Sequence, residues 1–390
     1  MTTSIRPWRF TLLLVLSMAL VATVSGYRVT GAFAGAAASD RCTSSGRYTV
    51  CTSDPRLFDD GKDLTVIEEI QRRIQATDSG GTIRVAVYEW NLKRVAYDLV
   101  AAKERGVDVR IVIGRNDKKP TGNDEVIAIL TAGGIPVTQC ADACLPNRDG
   151  VRDGAMHNKF MLIGDTTGKT VVQTSSNFTV SQVKHHQNLV ATQGDNGLYD
   201  YYLGYWNRLN VKSWTYDGVT WGGDDRARKG DHDLSKAYLL PVNAGDPVVA
   251  ALNNVTECRA ENEDDRIWVA HSLFERPAVR ERLIELQNMG CDVKVVVARE
   301  SDESWLERNV AGKGQLTASK VKTLARTHNK LIIIDAKYAG QWRKVVFTGS
   351  HNLTENSLRN ANDVMLRLIT PEVVNVYIHY FRDLYLSRQD

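Results

Sequence analysis

An α/β chain built from two copies of one half is predicted by three observations. Short apolar runs alternate with amphipathic stretches. The order strand, helix, glycine, strand occurs twice. Each copy then leads into a His-Asn-Lys triplet followed by an apolar run. In the first copy, residues 82–88 read as a buried strand, 94–105 as a helix and 106–113 as a second strand. Residues 266–271, 277–289 and 290–297 repeat that order. A helix between two apolar strands marks a βαβ unit, because parallel neighbours need a crossover connection. Both copies continue alike. His157-Asn158-Lys159 precedes the apolar run 160–163, a strand at 171–174 and Ser175-Ser176-Asn177. His328-Asn329-Lys330 precedes 331–334, a strand at 345–348 and Ser350-His351-Asn352.

The remaining segments divide around these halves. Residues 1–38 read as a cleavable export signal: Arg6 and Arg9 supply the positive start, an apolar stretch runs from Thr11 to Val24, and Ala36-Ala37-Ala38 offers a small-residue cleavage site. That apolar stretch is shorter than the roughly 20 residues a membrane-spanning helix needs. The first half is expected over 39–210 and the second over 247–390. Residues 211–246, rich in Gly, Asp and Trp and without clear periodicity, read as a linker carrying an active-site loop. Trp214 and Trp221 make that loop a candidate for touching a membrane. The aromatic set Tyr199, Tyr201, Tyr202, Tyr205 and Trp206 reads as core packing on a helix.

Charge and cysteine usage narrow the class. Three of the 49 basic residues (Arg6, Arg9, Arg28) and none of the 46 acidic ones lie in 1–38, so the processed chain is neutral. That argues against the broad basic footprint of a general DNA binder. Six cysteines in an exported chain suggest disulfides; among fifteen connectivities proximity favours Cys42–Cys51 and Cys140–Cys144, which would leave Cys258–Cys291. Their spacing does not suit zinc. His185-His186 reads as a loop or surface pair rather than a metal site.

The chemistry rests on the paired triplets. Residues two apart in a strand share a face, so His157 projects with Lys159, and His328 with Lys330. An ammonium beside an imidazole suits a phosphate: lysine neutralises non-bridging oxygens, and histidine attacks phosphorus or transfers a proton. One such pair is commonplace; two at the same place in a repeated unit are not.

The run His328-Asn329-Lys330-Leu331-Ile332-Ile333-Ile334-Asp335 with Gly349-Ser350-His351-Asn352 resembles the HxKxxxxD and GSxN signature of the phospholipase D superfamily. His157-Asn158-Lys159 with Ser175-Ser176-Asn177 resembles it too. The resemblance implies two α/β/α halves, each a mixed sheet flanked by helices, with the active site at their interface. It implies a two-step reaction through a phosphohistidine, with His157 as nucleophile and His328 as general acid and base, and with no metal or cofactor required. Lys159, Lys330, Asn177 and Asn352 would hold the phosphate, with Ser175 and Ser350 supporting the turns.

The first motif departs from the family pattern. Gly164 stands at the aspartate position and Asp165 follows one residue late; Thr174 stands where the second motif has Gly349. Asp335 lies an odd number of residues from His328, so both motif acids are expected to be structural. Family members also orient each histidine with a downstream carboxylate. Asp363, eleven residues after Asn352, is expected to orient one of the histidines, and the same step from Asn177 reaches the amide of Asn188. The two histidines should therefore be electronically unequal.

The expected activity is a secreted, monomeric phospholipase D-type phosphodiesterase acting on phospholipid headgroups at a membrane surface. A nuclease of the same superfamily, with nucleic acid as partner, and an inactive phosphate- or lipid-binding protein are the alternatives.

Overall fold

A computed structural model of the chain describes residues 1, 41–115, 122–147, 149–231, 234–259 and 265–387. The export signal expected at 1–38 lies outside the described residues, Met1 apart.

The first half is an eight-stranded sheet. Its strands are β1 (Cys42–Ser45), β2 (Tyr48–Thr52), β3 (Thr82–Val87), β4 (Asp108–Gly114), β5 (Val137–Cys140), β6 (Lys159–Asp165), β7 (Gly168–Thr174) and β8 (Asn188–Gln193). They run in the order β1-β2-β8-β7-β6-β3-β4-β5. The pairs β3–β4 and β4–β5 are parallel, whereas β3–β6, β6–β7 and β7–β8 are antiparallel. The helices of this half are α1 (Thr65–Ala76), α2 (Lys93–Glu104), α3 (Asn123–Ala132) and α4 (Asn196–Val211).

A small hairpin of β9 (Thr215–Tyr216) and β10 (Val219–Thr220) leads to the second sheet. This holds β11 (Ala227–Lys229), β12 (Ser235–Leu240), β13 (Val255–Glu257), β14 (Arg266–His271), β15 (Asp292–Val297), β16 (Val321–Thr323), β17 (Lys330–Tyr338), β18 (Gln341–Gly349) and β19 (Asp363–Leu368). Its order β11-β12-β19-β18-β17-β14-β15-β16, with β13 beside β17, repeats the first. The helices are α5 (Pro247–Asn253), α6 (Pro277–Asn288), α7 (Glu300–Leu306), α8 (Glu355–Arg359) and α9 (Pro371–Leu386). The duplicated α/β fold with mixed sheets is therefore present. The segment 235–240, left by its sequence in the linker, is instead an inner strand paired with β19.

Side-chain alternation assigns the layers. Along β6, Phe160 and Leu162 join one cluster while Met161 and Ile163 join another; along β17, Leu331 and Ile333 separate from Ile332 and Ile334 in the same way. The shared cluster takes the inner faces of both sheets together with α4 and α9, which lie between them. The outer faces are covered by α1–α3 and by α5–α7. The aromatic set on α4 is buried in the shared cluster, as its composition suggested.

Three disulfides close Cys42–Cys51, Cys140–Cys144 and Cys258–Cys291, the two pairs that proximity favours and the one it leaves. Among the described residues, no helix is long and apolar enough to cross a membrane. Trp214 and Trp221 do not form a free loop. Trp214 lies against Tyr205 and Arg226 and donates its indole N–H to the Pro146 carbonyl; Trp221 stacks on Tyr201 with Arg208 3.9 Å from its ring. Both indoles hold the linker against the body of the protein, Trp214 beside Tyr205 and Trp221 on Tyr201 of α4.

Candidate active site

The two triplets lie where β6 and β17 begin, beside the carboxyl ends of the parallel strands β3 and β14. Lys159 pairs in register with Val87, and Lys330 with His271. Each triplet is then clamped to the other half through its backbone. The His157 N–H donates to the Asn362 carbonyl at 3.0 Å, and the His328 N–H to the His186 carbonyl at 2.9 Å. One composite site results, with a histidine and a lysine from each half.

Both lysines are fully buried. Lys159 Nζ donates to the His157 carbonyl at 2.6 Å and lies 5.5 Å from the ring of Tyr88. Lys330 Nζ donates to the Ser272 hydroxyl at 2.8 Å and to the His328 carbonyl at 2.9 Å. Among the described residues neither ammonium forms an ion pair. Burial pushes Lys159 down to about 8, against the opposing pull of Asp363 and Glu89, and holds Lys330 well below its ordinary value, with Lys159 adding repulsion. Two buried cations without carboxylate contact are costly unless an anion joins them. An anion such as a phosphate bound between them would offset that cost.

The histidines differ in what holds them. Asp363 Oδ1 lies 2.8 Å from His157 Nδ1, across the boundary between halves. The other carboxylate oxygen accepts from Ser357 Oγ at 2.7 Å. Burial raises the Asp363 pKa, but His157 and Lys159 together drive it far below the carboxylate range, so it is ionised and the imidazole donates to it. This leaves His157 Nε2 as a lone pair. Burial and then Lys159 keep the His157 imidazole below its ordinary 6.5, with Asp363 opposing. His328 Nδ1 lies 3.0 Å from the Ser175 carbonyl and 3.3 Å from Gln187 Oε1, both neutral acceptors. Burial, then Lys330 and Lys159, hold its imidazole well below 6.5.

The amide facing His328 is thus Gln187, not Asn188. The Ser175 N–H bonds the Asn188 carbonyl as the Ser350 N–H bonds the Val364 carbonyl, so Asn188 corresponds to Val364 and Gln187 to Asp363. The segment through α8 carries one more residue than the 3₁₀ turn Gln182–Lys184, and counting across that insertion lands one position late. Asn188 is instead a buried connector, donating to Asn329 Oδ1 at 2.7 Å and accepting from Thr348 and Tyr377.

The other expected residues fall as follows. Asn352 Oδ1 accepts from Ser272 at 2.9 Å and so joins the Lys330 network. Asn177 is buried and accepts weakly from the Glu89 N–H at 3.4 Å. Ser175 donates to Gln187, and Ser350 accepts from the Val364 N–H; both hydroxyls fasten the orienting segment. Gly349 is required because a Cβ there would lie 2.1 Å from the Val364 carbonyl; in the first half Thr174 meets the different geometry by bonding the Asn188 carbonyl and the Ser176 N–H. Gly164 sits opposite Thr82 as Asp335 sits opposite Arg266, so the two positions correspond. Asp165 caps the β6–β7 turn through Thr167, and Asp335 faces Lys344 at 3.7 Å; neither reaches a site histidine.

Sequence reasoning missed Tyr88, whose ring centroid is 5.2 Å from that of His157, and Ser272, its counterpart in the second half. It also missed His185, 6.0 Å from His328 ring to ring. Tyr88 and Ser272 each stand at the end of a strand before a turn, a position the repeat alignment could have exposed.

This fold and this site define a protein of the phosphodiester-acting superfamily built from two halves. The chain belongs to the family described as cardiolipin synthase, PLD-like domain, whose model matches residues 70–209 and 258–385. No curated protein matches the sequence. Among solved structures, the chain is similar to phosphatidylserine synthase of Haemophilus influenzae Rd KW20, with 11% identity, a TM-score of 0.58 and 90% of each chain covered. It is also similar to polyphosphate kinase of Porphyromonas gingivalis, with 12% identity and a TM-score of 0.57 over 87% of this chain; it spans 50% of that chain's length. A phospholipase D family member, Nuc of Salmonella typhimurium, aligns at 24% identity and a TM-score of 0.32 over 41% of this chain and 90% of its own.

Proposed function

We propose that this protein is an exported phosphodiesterase that hydrolyses the headgroup diester of phospholipids through a phosphohistidine. The composite site carries this reading: two buried lysines, without a carboxylate contact among the described residues, flank two histidines, of which His157 is held by a carboxylate and His328 by neutral acceptors. In the first step His157 Nε2 attacks phosphorus. The bond to the headgroup oxygen breaks, and His328 gives that oxygen a proton. In the second step His328 takes a proton from water, whose oxygen displaces His157 and releases phosphatidic acid. Lys159 and Lys330 balance charge on the non-bridging oxygens, with Asn177 and Asn352 at the turns beside them. The negative charge of the bound phosphate favours the protonated His328 that the first step needs.

The lipid substrate is supported by the processed chain's neutrality and by the family's description. Export and action outside the cell are supported by the leader composition and three disulfides. The test is incubation with phosphatidylcholine vesicles and, separately, with single- and double-stranded DNA, without added divalent metal. Choline release with intact DNA is the expected result. DNA cleavage without lipid turnover would replace this reading with a nuclease, and neither activity would leave a phosphate-binding protein.

A further inference from the structure

Asn362 immediately precedes Asp363 and is completely buried. Its side chain closes both hydrogen bonds of a backbone-like pair with Leu145: Oδ1 accepts from the Leu145 N–H at 2.9 Å, and Nδ2 donates to the Leu145 carbonyl at 3.0 Å. Its own backbone donates to the Ala155 carbonyl at 2.8 Å and accepts from the His157 N–H at 3.0 Å. One residue of the second half therefore ties together a loop of the first half, the segment entering the His157 triplet, and the carboxylate that faces His157.

The loop that Asn362 grips is itself closed. Cys140 and Cys144, four residues apart, form a disulfide directly before Leu145, and Cys140, Ala143, Cys144 and Leu145 are all buried. The Arg115 N–H holds the Cys140 carbonyl, and Trp214 holds the Pro146 carbonyl. A five-residue ring pinned at both ends has little freedom to let Leu145 drift. The clamp at His328 is built differently. There His186 makes the two backbone bonds, but its side chain faces Asp54 at 3.6 Å, and no disulfide closes the segment entering that triplet.

We propose that Asn362 and the Cys140–Cys144 ring form a strut that positions the Asp363–His157 pair, so that this disulfide sets the turnover of the nucleophile. Asn362 is a positioning residue: it touches no reacting atom and acts through Asp363 and the His157 backbone. The inference rests on the proposed role of His157.

The experiment compares Cys140→Ala/Cys144→Ala, Asn362→Ala and the combined variant with Cys258→Ala/Cys291→Ala, whose bridge lies at the far end of the second sheet. Two readings are taken: kcat and KM on a phosphodiester substrate, and the low-field proton resonance of the His157 Nδ1–H bound to Asp363. The first two variants should each lower kcat about 10-fold with KM nearly unchanged, by analogy with the loss of partners that orient a ligand-binding histidine. They should also broaden or shift the resonance. The combined variant should be little worse than either, because both act on one strut. The control should keep kcat and the resonance. Multiplicative losses, or unaltered kcat and resonance in folded variants, would overturn the strut. If Cys140→Ala/Cys144→Ala does not fold, Asn362→Ala decides alone, since it leaves the bridge in place. If the wild-type protein cleaves no diester, the proposed function falls while the resonance still decides the strut.

Discussion

Asp363, the first residue of the last strand of the second half, accepts a hydrogen bond from Nδ1 of His157 in the first half at 2.8 Å, while the corresponding Gln187 faces His328 at 3.3 Å. The orienting groups are exchanged between halves, and only one of them is charged. Neither half could therefore supply a complete site alone.

Asp363→Asn should lower kcat on the order of 10- to 100-fold with a smaller effect on KM. The imidazole of His157 lies below 6.5 in the free protein, and Lys159 is pushed down to about 8. In the wild type, kcat/KM should rise as His157 loses its proton below 6.5, and its alkaline limb should be set first by loss of the His328 proton, whose imidazole is held well below 6.5 in the free protein. The variant should move the acid limb to lower pH, because an amide no longer favours the imidazolium. A pH–rate profile measures both; unchanged limbs would separate Asp363 from the nucleophile.

Gln187→Glu should give His328 the carboxylate that His157 already has. Its oxygens would face Ser175 Oγ, His328 Nδ1 and Gln182, whose amide can turn to donate. The His328 imidazole should become more basic. Nitrogen-15 or proton titration of the His328 ring should show its midpoint rising, and a midpoint that stays put would place Gln187 outside its control.

Acid should destabilise the protein. His157, His185, His186, His271, His328 and His351 are all held below 6.5, chiefly by burial; His186 is pushed down to about 4 and His351 to about 3. An imidazole depressed in the folded state binds its proton more readily when unfolded. The stability from these groups is full above 6.5 and is lost as pH falls toward the folded values. His271 and His351 form a buried pair with ring centroids 5.3 Å apart, and among the described residues neither ring has a hydrogen-bond partner. The first-half counterpart of His271 is Val87. His271→Val should reduce the fall in melting temperature between pH 7 and pH 5, and an equal fall would contradict this.

Gly154→Ala should destabilise the seam. A Cβ at Gly154 would lie 2.3 Å from the Asn360 carbonyl and 2.6 Å from the Ala361 nitrogen, backbone that cannot step aside cheaply. A cost of about 1–3 kcal/mol is expected, read from urea unfolding. A variant as stable as the wild type would show that the segment entering the His157 triplet is free to move.

The fold was legible because a duplicated order of elements leaves a strong pattern: apolar runs of strand length, an intervening helix and a repeated glycine. The two His-Asn-Lys triplets and Asp363 were legible because the second motif is complete. What was hidden is non-local. No spacing within one half reveals that Asp363 serves the histidine of the other, or that Asn362 grips Leu145, 217 residues away. Gln187 was missed because the two orienting segments differ by one residue, and step counting does not survive an insertion. Strand 235–240 was missed because it follows a Gly- and Asp-rich stretch that reads as linker. Trp214 and Trp221 looked free for want of their partners, Arg226 and Arg208, which pin them to the protein.

One composite site, with His157 held by Asp363 from the other half, should use His157 as its nucleophile. It is tested by mass spectrometry of the wild-type protein reacting with phosphatidylcholine and rapidly quenched in alkaline denaturant, because a phosphohistidine is labile in acid. A phosphatidyl adduct is expected on the peptide containing His157 and none on that containing His328. An adduct on His328, or turnover that survives in His157→Ala, would contradict it.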